Sequence, residues 1–174
     1  TQHPTEVQHL VAACLGVQSK DVVVRCRRMG GGICGKETQP ALFACIAAIA
    51  ARQLGVAIKL RVDRDVDMEV TGKRHPYQLD YQVGFDDRGH VAGIRMDFAS
   101  DCGRSADLSG PVNARTVFHA DNCYFLEHAD VASACLKTNR ASNTAFRGFG
   151  GPQGMLGIEI VMDEIARHLN LVPL

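Results

Sequence analysis

The stretch YQLDYQVGFDDRGHVAGIRMDFAS, Tyr77–Ser100, decides the fold class. Tyr77–Phe85 alternates like a strand, Asp86-Asp87-Arg88-Gly89 makes a turn, and His90–Ser100 resumes as the returning partner. An antiparallel hairpin is therefore predicted near the middle of the chain. Outward from it the spacing turns helical. Toward the N-terminus, Val7, Leu10, Val11, Cys14 and Leu15 fall on one stripe of a helix over 6–15, with Gly16 at the C-terminal cap. Thr38 is placed as the N-cap and Pro40 as an early residue of a second helix reaching Leu54 and stopping at Gly55. Toward the C-terminus, Pro152 opens a helix running to about Asn170. Its apolar face carries Met155, Ile158, Val161, Met162, Ile165 and Leu169. Val22–Val24 reads as a buried strand, and Ala57–Val62, Cys123–Leu126 and Val131–Leu136 as further strand-like stretches. A loop is expected around Leu108–Pro111. A hairpin with about three helices is α+β.

Composition narrows the function classes. The 174 residues fit one domain, expected to span 1–174, and 46% hydrophobic with 22% charged residues excludes a disordered chain. Nineteen basic residues balance nineteen acidic ones, which removes the field of a nucleic-acid binder. No run approaches the roughly 18 apolar residues of a membrane span. The opening TQHPTEVQHL lacks the basic and apolar regions of a secretory signal. Thr1 is not an initiator methionine, so the chain is expected to be a piece of a longer protein. The seven cysteines, Cys14, Cys26, Cys34, Cys45, Cys102, Cys123 and Cys135, show no zinc or iron–sulfur spacing. They read as small buried thiols in a reducing cytoplasm.

The chemistry is signalled by glycine. Eight of the 17 glycines lie in two windows, GGGICGKET (Gly30–Thr38) and RGFGGPQG (Arg147–Gly154). Each feeds a helix N-terminus, where main-chain N–H groups and the helix dipole favour an anion. Two such junctions suggest an anionic cofactor held by backbone. The first window also spells G-x-x-x-x-G-K from Gly30 to Lys36. A phosphate-binding loop then needs a hydroxyl for magnesium, and Glu37 stands there instead, a carboxylate that would repel the phosphates.

With those residues in hand, the chain resembles the molybdenum-cofactor subunit of the xanthine dehydrogenase and xanthine oxidase family along its whole length. The resemblance is carried by RCRRMGGGICGKET (Arg25–Thr38), VDRD (Val62–Asp65), TGKRHP (Thr71–Pro76), VFHADN (Val117–Asn122) and KTNRASNTAFRGFGGPQGM (Lys137–Met155). It implies a mixed β-sheet domain that binds molybdopterin, whose dithiolene holds the molybdenum without a protein ligand. By the same matching, Gln2 is the amide that donates to the metal's oxo group. Ile33, Cys34 and Gly35 form one loop bordering the cofactor, and Ala145, Phe146 and Arg147 form the other. Glu37, Arg115 and Phe149 match the purine pocket: an acceptor, a cation for the charge that develops on the ring, and an aromatic face. Taken without the family, Glu37 also suits the first turn of a helix, Arg115 a surface charge and Phe149 a core position. Lys36, Lys73, Arg74 and His75 are assigned solvated or structural roles.

The family usually has Phe-Gly where Ile33-Cys34 stand. Were the second position to need angles that only glycine tolerates, Cys34 would strain the loop. The resemblance implies oxidation of hypoxanthine or xanthine to uric acid with oxygen from water, in the cytoplasm. Electrons would leave through iron–sulfur clusters and FAD, carried elsewhere in the parent, to NAD or oxygen. An aldehyde oxidase-type hydroxylase is the alternative. The family's general base is a glutamate lying downstream, so the isolated chain is expected to be inactive, free of cofactor and prone to self-association.

Overall fold

The computed structural model describes residues 1–172, which form two compact units: Thr1–Lys73, and the chain from Arg74 onward.

The first unit is built on two helices, α1 (Pro4–Leu15) and α2 (Pro40–Leu54). Pro4 suits the first turn of α1, where a missing N–H costs nothing, and His3 Nδ1 accepts from Glu6 N at 3.2 Å. Gly16, at φ 64°, ends the helix. Its N–H reaches Ala13 O at 3.2 Å while Val17 N reaches Ala12 O at 3.0 Å, the paired bonds of a Schellman motif. Val7 and Val11 of α1 pack with Ala41 of α2 in the unit's small core, and Val22 and Val24 flank it. Val22–Val24 is extended but joins no sheet, and Val23 is 74% exposed, so the predicted buried strand is absent. The Gln8 amide takes the place of a neighbouring strand, donating to Ser19 O at 2.8 Å and Val22 O at 2.7 Å. Ala57–Val62 likewise pairs with nothing. Gln39 rather than Thr38 sits at the N-cap of α2, and the Thr38 hydroxyl is buried without a partner. A short helix, α3 (Arg64–Val70), follows Asp63, whose Oδ1 accepts from Asp65 N at 2.9 Å.

The second unit carries the sheet. β1 (Tyr77–Phe85) pairs antiparallel with β2 (Val91–Gly103) in a register joining Tyr77 to Ser100 and Gly84 to Gly93. The turn is held by Asp86 Oδ1, which accepts from Arg88 N and His90 N, each at 2.9 Å, while Gly89 supplies φ 86°. From β2 the chain crosses through α4 (Ser109–Phe118) to β3 (Ala129–Lys137), which lies parallel to β2. The sheet order is β1-β2-β3. Alternate residues Ile94, Met96 and Phe98 of β2 point at α5 (Gly151–His168) and pack on Ile158, Val161 and Ile165. Gly157 permits the close approach, because a Cβ there would lie 2.9 Å from the Phe98 ring.

The hairpin, α1, α2 and α5 thus form as predicted, within an α+β mixed sheet. Among the described residues five α-helices replace the expected three. α4 occupies the predicted loop at Leu108–Pro111, and α3 was missed because it buries nothing and shows no apolar period. Cys123–Leu126 forms no strand. Met155, placed on the apolar face of α5, is 38% exposed. Cys102 is the one buried cysteine; four of the seven are exposed, contrary to the reading of small core residues. Among the described residues no helix is long and apolar enough to cross a membrane.

Candidate functional site

In the first unit the glycine window closes into a turn, with Gly35 N donating to Gly32 O at 2.8 Å. Its two central residues, Ile33 (φ 50°) and Cys34 (φ 64°), are both left-handed. Neither is glycine, and a left-handed conformation costs an L-residue roughly 1–2 kcal/mol. The anticipated strain at Cys34 is therefore present, and Ile33 shares it. Such strain persists where surrounding contacts dictate the conformation, and here Gln2 does so. Gln2 N donates to Lys36 O at 2.7 Å, and Gln2 Oε1 accepts from Lys36 N at 3.1 Å. A Cβ at Gly32 would overlap the Gln2 side chain, so the glycine is required for Gln2 to lie on the loop. Thr1 Oγ1 adds a bond to Lys36 O at 3.0 Å.

The clamp determines which donors remain. Because Lys36 N–H can bond only to the amide oxygen, the Gln2 Nε2 group is the free end. It has no partner among the described residues, and neither do the main-chain N–H groups of Ile33 and Cys34. Glu37 is half-buried and makes no ion pair among the described residues. It stands two residues before the Gln39 cap, outside the first turn of α2, so the helix-dipole role does not apply to it. A cavity of about 500 Å³ opens on one side of the loop, walled by Arg28, Gly30, Gly35, Lys36 and Phe43. Ile33, Cys34 and Glu37 do not line it.

In the second unit the other window forms a loop leading into α5. Gly148 (φ 90°), Phe149 (φ 54°) and Gly150 (φ 94°) are left-handed in succession, with Phe149 N bonded to Phe146 O at 2.8 Å and Gly151 N to Gly148 O at 3.0 Å. α4 supports this loop. Thr116 Oγ1 lies 3.1 Å from Gly150 O and 3.0 Å from both Val112 O and the Tyr77 hydroxyl. A side chain at Gly150 would strike the Val112 carbonyl. Phe149 is thereby placed, half-buried, on a loop packed against the helix that carries Arg115, whose side chain is exposed. Ala145 is fully buried, yet its main-chain N–H finds no acceptor among the described residues. An orphaned buried N–H is costly and points to an acceptor supplied from outside the chain. Phe146 and Arg147 beside it are exposed.

One group, Asn113, escaped the sequence reading, and another, His75, takes the structural side of the role assigned to it. Asn113 of α4 is the hub of a buried polar network. Its Nδ2 donates to Ser100 Oγ at 2.7 Å and to Cys135 Sγ, and its Oδ1 accepts from Ser133 Oγ at 2.9 Å and from the Tyr77 hydroxyl. Burial pushes the Tyr77 phenol above its ordinary value. His75 is also buried, with Nε2 2.7 Å from Ser109 Oγ, and desolvation lowers its pKa against the opposing charges of Asp107 and Asp101. Asn113 shares a buried face of α4 with Ser109, Val112 and Thr116, but that face is mostly polar and shows no hydrophobic period, and His75 stands alone before β1. Among the described residues no three His, Cys, Asp or Glu side chains converge as a metal site.

The sequence pattern of the molybdopterin cofactor-binding domain matches residues 1–174. The chain belongs to that family. Over 173 residues this molybdopterin-binding domain is 43% identical to "Xanthine dehydrogenase/oxidase" of Gallus gallus, covering 99% of the chain and 13% of the relative. It is 45% identical over 166 residues to the protein of the same name in Mus musculus, covering 95% of the chain and 12% of the relative. It is also 40% identical over 171 residues to "Xanthine dehydrogenase" of Dictyostelium discoideum, covering 98% and 13%. The domain thus spans 12–13% of the length of these relatives. Among solved structures, the aldehyde oxidoreductase of Desulfovibrio gigas aligns at a TM-score of 0.83 and 24% identity, covering 95% of this chain and 18% of that one. The CO dehydrogenase of Oligotropha carboxidovorans aligns at 0.83 and 22%, covering 98% and 22%. Both share the fold.

Proposed function

We propose that this domain forms one part of the active site of a longer molybdenum hydroxylase that oxidises hypoxanthine and xanthine to uric acid, with water as the oxygen source. The observation that carries the reading is the Gln2 clamp on the Ile33–Cys34 turn. It leaves an amide N–H₂ and two main-chain N–H groups unengaged on a strained backbone. That donor set suits a polyanionic pterin cofactor with an oxo-bearing metal, and in the second unit the orphaned N–H of Ala145 is a main-chain donor of the same kind. When bound, the molybdenum–pterin group supplies the two-electron oxidation. The side chains of this domain orient and polarise. Gln2 Nε2 donates to the cofactor, and the main chains of Ile33–Gly35 and Ala145–Arg147 border it. Glu37 holds a ring N–H of the purine as acceptor, Arg115 stabilises negative charge as it develops on the ring, and Phe149 offers a flat apolar face. The relatives' names support the substrate class, since those at 40–45% identity are xanthine dehydrogenases.

The remainder of the parent chain supplies the general base, the iron–sulfur clusters and the flavin. The isolated domain is accordingly inactive. It exposes Leu42, Ile46 and Ile49 along α2, together with Phe118 and Phe125, apolar surface that favours self-association. The test is urate formation by the full-length protein. Arg115→Met is expected to lower xanthine kcat/KM by about a thousandfold, the scale of losing a group that acts on transition-state charge. A full-length protein that turns over benzaldehyde in preference to xanthine, or an Arg115→Met variant with undiminished xanthine turnover, overturns the purine reading. Urate produced by the 174-residue domain alone overturns the claim that it is incomplete.

A further inference from the structure

Loop 145–149 is short of internal support. It contains one main-chain bond, Phe149 N to Phe146 O, and three consecutive exposed residues, Phe146, Arg147 and Gly148. The side chain that braces it comes from the far end of the unit in sequence. The Arg74 guanidinium lies over the Phe146 ring, 4.6 Å from its centroid, and donates through Nη2 to Arg147 O at 2.7 Å. Its Nη1 donates to Gln153 Oε1 at 3.3 Å, and Gln153 Nε2 returns a bond to His75 O at 3.4 Å. The brace therefore begins in the segment before β1, crosses the loop and closes on the first turn of α5. Three contacts of different kinds meet on one planar cation: a ring face, a carbonyl and an amide. An ammonium could satisfy one of them but has neither the flat face nor the fork for all three.

We infer that Arg74 is a positioning residue for the 145–149 loop, fixing the Phe146 ring and the Arg147 carbonyl. Its importance for catalysis rests on the reading that this loop borders the cofactor. Its effect on the loop does not. Arg74 touches no reacting atom. It removes freedom from a loop whose left-handed residues Gly148, Phe149 and Gly150 would otherwise have several ways to fold back toward α5.

The test uses the full-length protein and two independent readouts. The first is hydrogen exchange of a peptide covering residues 145–152, compared with one covering β2. In Arg74→Met the loop amides are expected to exchange about tenfold faster, the scale of losing one charge-assisted hydrogen bond, while β2 is unchanged. Arg74→Lys is expected to behave like Arg74→Met. Added guanidinium ion should return the exchange of an Arg74→Ala protein toward wild type, where ammonium does not. The second readout is molybdopterin content, with xanthine kcat and KM measured on the loaded fraction. Content and kcat are expected to fall about tenfold, with KM changed less than threefold, because the loop orients rather than grips the substrate. If Arg74→Met fails to fold, Gln153→Leu removes one arm alone and should speed loop exchange about threefold. Unchanged loop exchange in either variant, or full replacement by lysine, overturns the inference. If the wild-type protein does not oxidise purines, the proposed function fails, while the exchange result still decides the role of Arg74.

Discussion

The two glycine windows reach a similar backbone by different means. In the second unit the left-handed run Gly148-Phe149-Gly150 places glycine on both sides of the aromatic residue, and buried atoms of α4 grip the loop from below. In the first unit the left-handed pair is Ile33-Cys34, and one side chain, Gln2, holds it from above. The surroundings differ as well. The second unit joins the core of β2 and α5, with Met96, Ile158 and Val161 fully buried, whereas the first has a core of three small or medium residues, Val7, Val11 and Ala41. The loop on the well-packed base combines flanking glycines and close packing with polar braces, Thr116 on Gly150 O and Arg74 on Arg147 O. The one on the thin base keeps its shape through polar contacts, at the cost of strain.

The largest difference should appear when each base is cut. Ile158→Ala is expected to destabilise the second unit by about 3–4 kcal/mol, since Ile158 is fully buried and the sheet cannot collapse into the space. Val11→Ala should cost the first unit about 2 kcal/mol, because Val11 borders a smaller cluster and keeps 7% exposure. Tyr77, Tyr81 and Tyr124 all follow residue 73, so tyrosine fluorescence in urea reports the second unit. Hydrogen exchange in α1 reports the first. Equal losses would break the contrast between the two cores.

The loops themselves come next. Gly150→Ala places a methyl group against the Val112 carbonyl and 2.8 Å from Thr116 Oγ1, at φ 94°. The combined clash and strain should cost about 3 kcal/mol, read from the same urea transition. Gly30, by contrast, has open space around it and no left-handed φ, and Gly30→Ala should change stability by less than about 0.5 kcal/mol. In the opposite direction, Cys34→Gly relieves a left-handed residue and should stabilise the first unit by about 1 kcal/mol, seen as slower α1 exchange. A destabilising Cys34→Gly would mean that the turn is not strained.

These contrasts also explain what the sequence could disclose. Period and punctuation were legible where a residue's neighbours lie close along the chain. The Tyr77–Ser100 hairpin, the Gly16 and Gly55 caps and the Pro-started α5 all follow local rules. The β-branched run Val22–Val24 and the alternating Ala57–Val62 misled because both patterns favour an extended chain, while pairing depends on a neighbour that neither pattern can supply. α4 was hidden because Gly110 and Pro111 suggest a loop, while its buried face is Ser109, Val112, Asn113 and Thr116, mostly polar. The residues assigned to the candidate site came from family resemblance alone. Composition marked the two glycine windows, but nothing local predicts that Gln2 reaches Lys36 across 34 positions or that Arg74 braces Phe146.

The smallest expected effect concerns His75, which is buried in the second unit and bonds Ser109. Burial favours its neutral form and lowers the folded pKa below the ordinary 6.5, while the charges of Asp107 and Asp101 partly oppose the shift. Below 6.5 the unfolded chain therefore binds a proton that the folded unit resists, so stability rises with pH in this range. The contribution is complete above 6.5 and fades as pH falls from there toward the lowered folded value. Asp86, held below 3.8 chiefly by the His90 main-chain N–H, and Asp101, held there chiefly by the Thr138 hydroxyl at 2.6 Å, behave in the same sense. They do so only at still lower pH, so the windows separate. Urea midpoints reported by tyrosine should decline gently from about pH 7.5 to about pH 5.5, and His75→Asn should flatten that slope while leaving the acid limb in place. An unchanged slope in His75→Asn would assign the decline to the surface histidines and leave the buried imidazole without a titrating role.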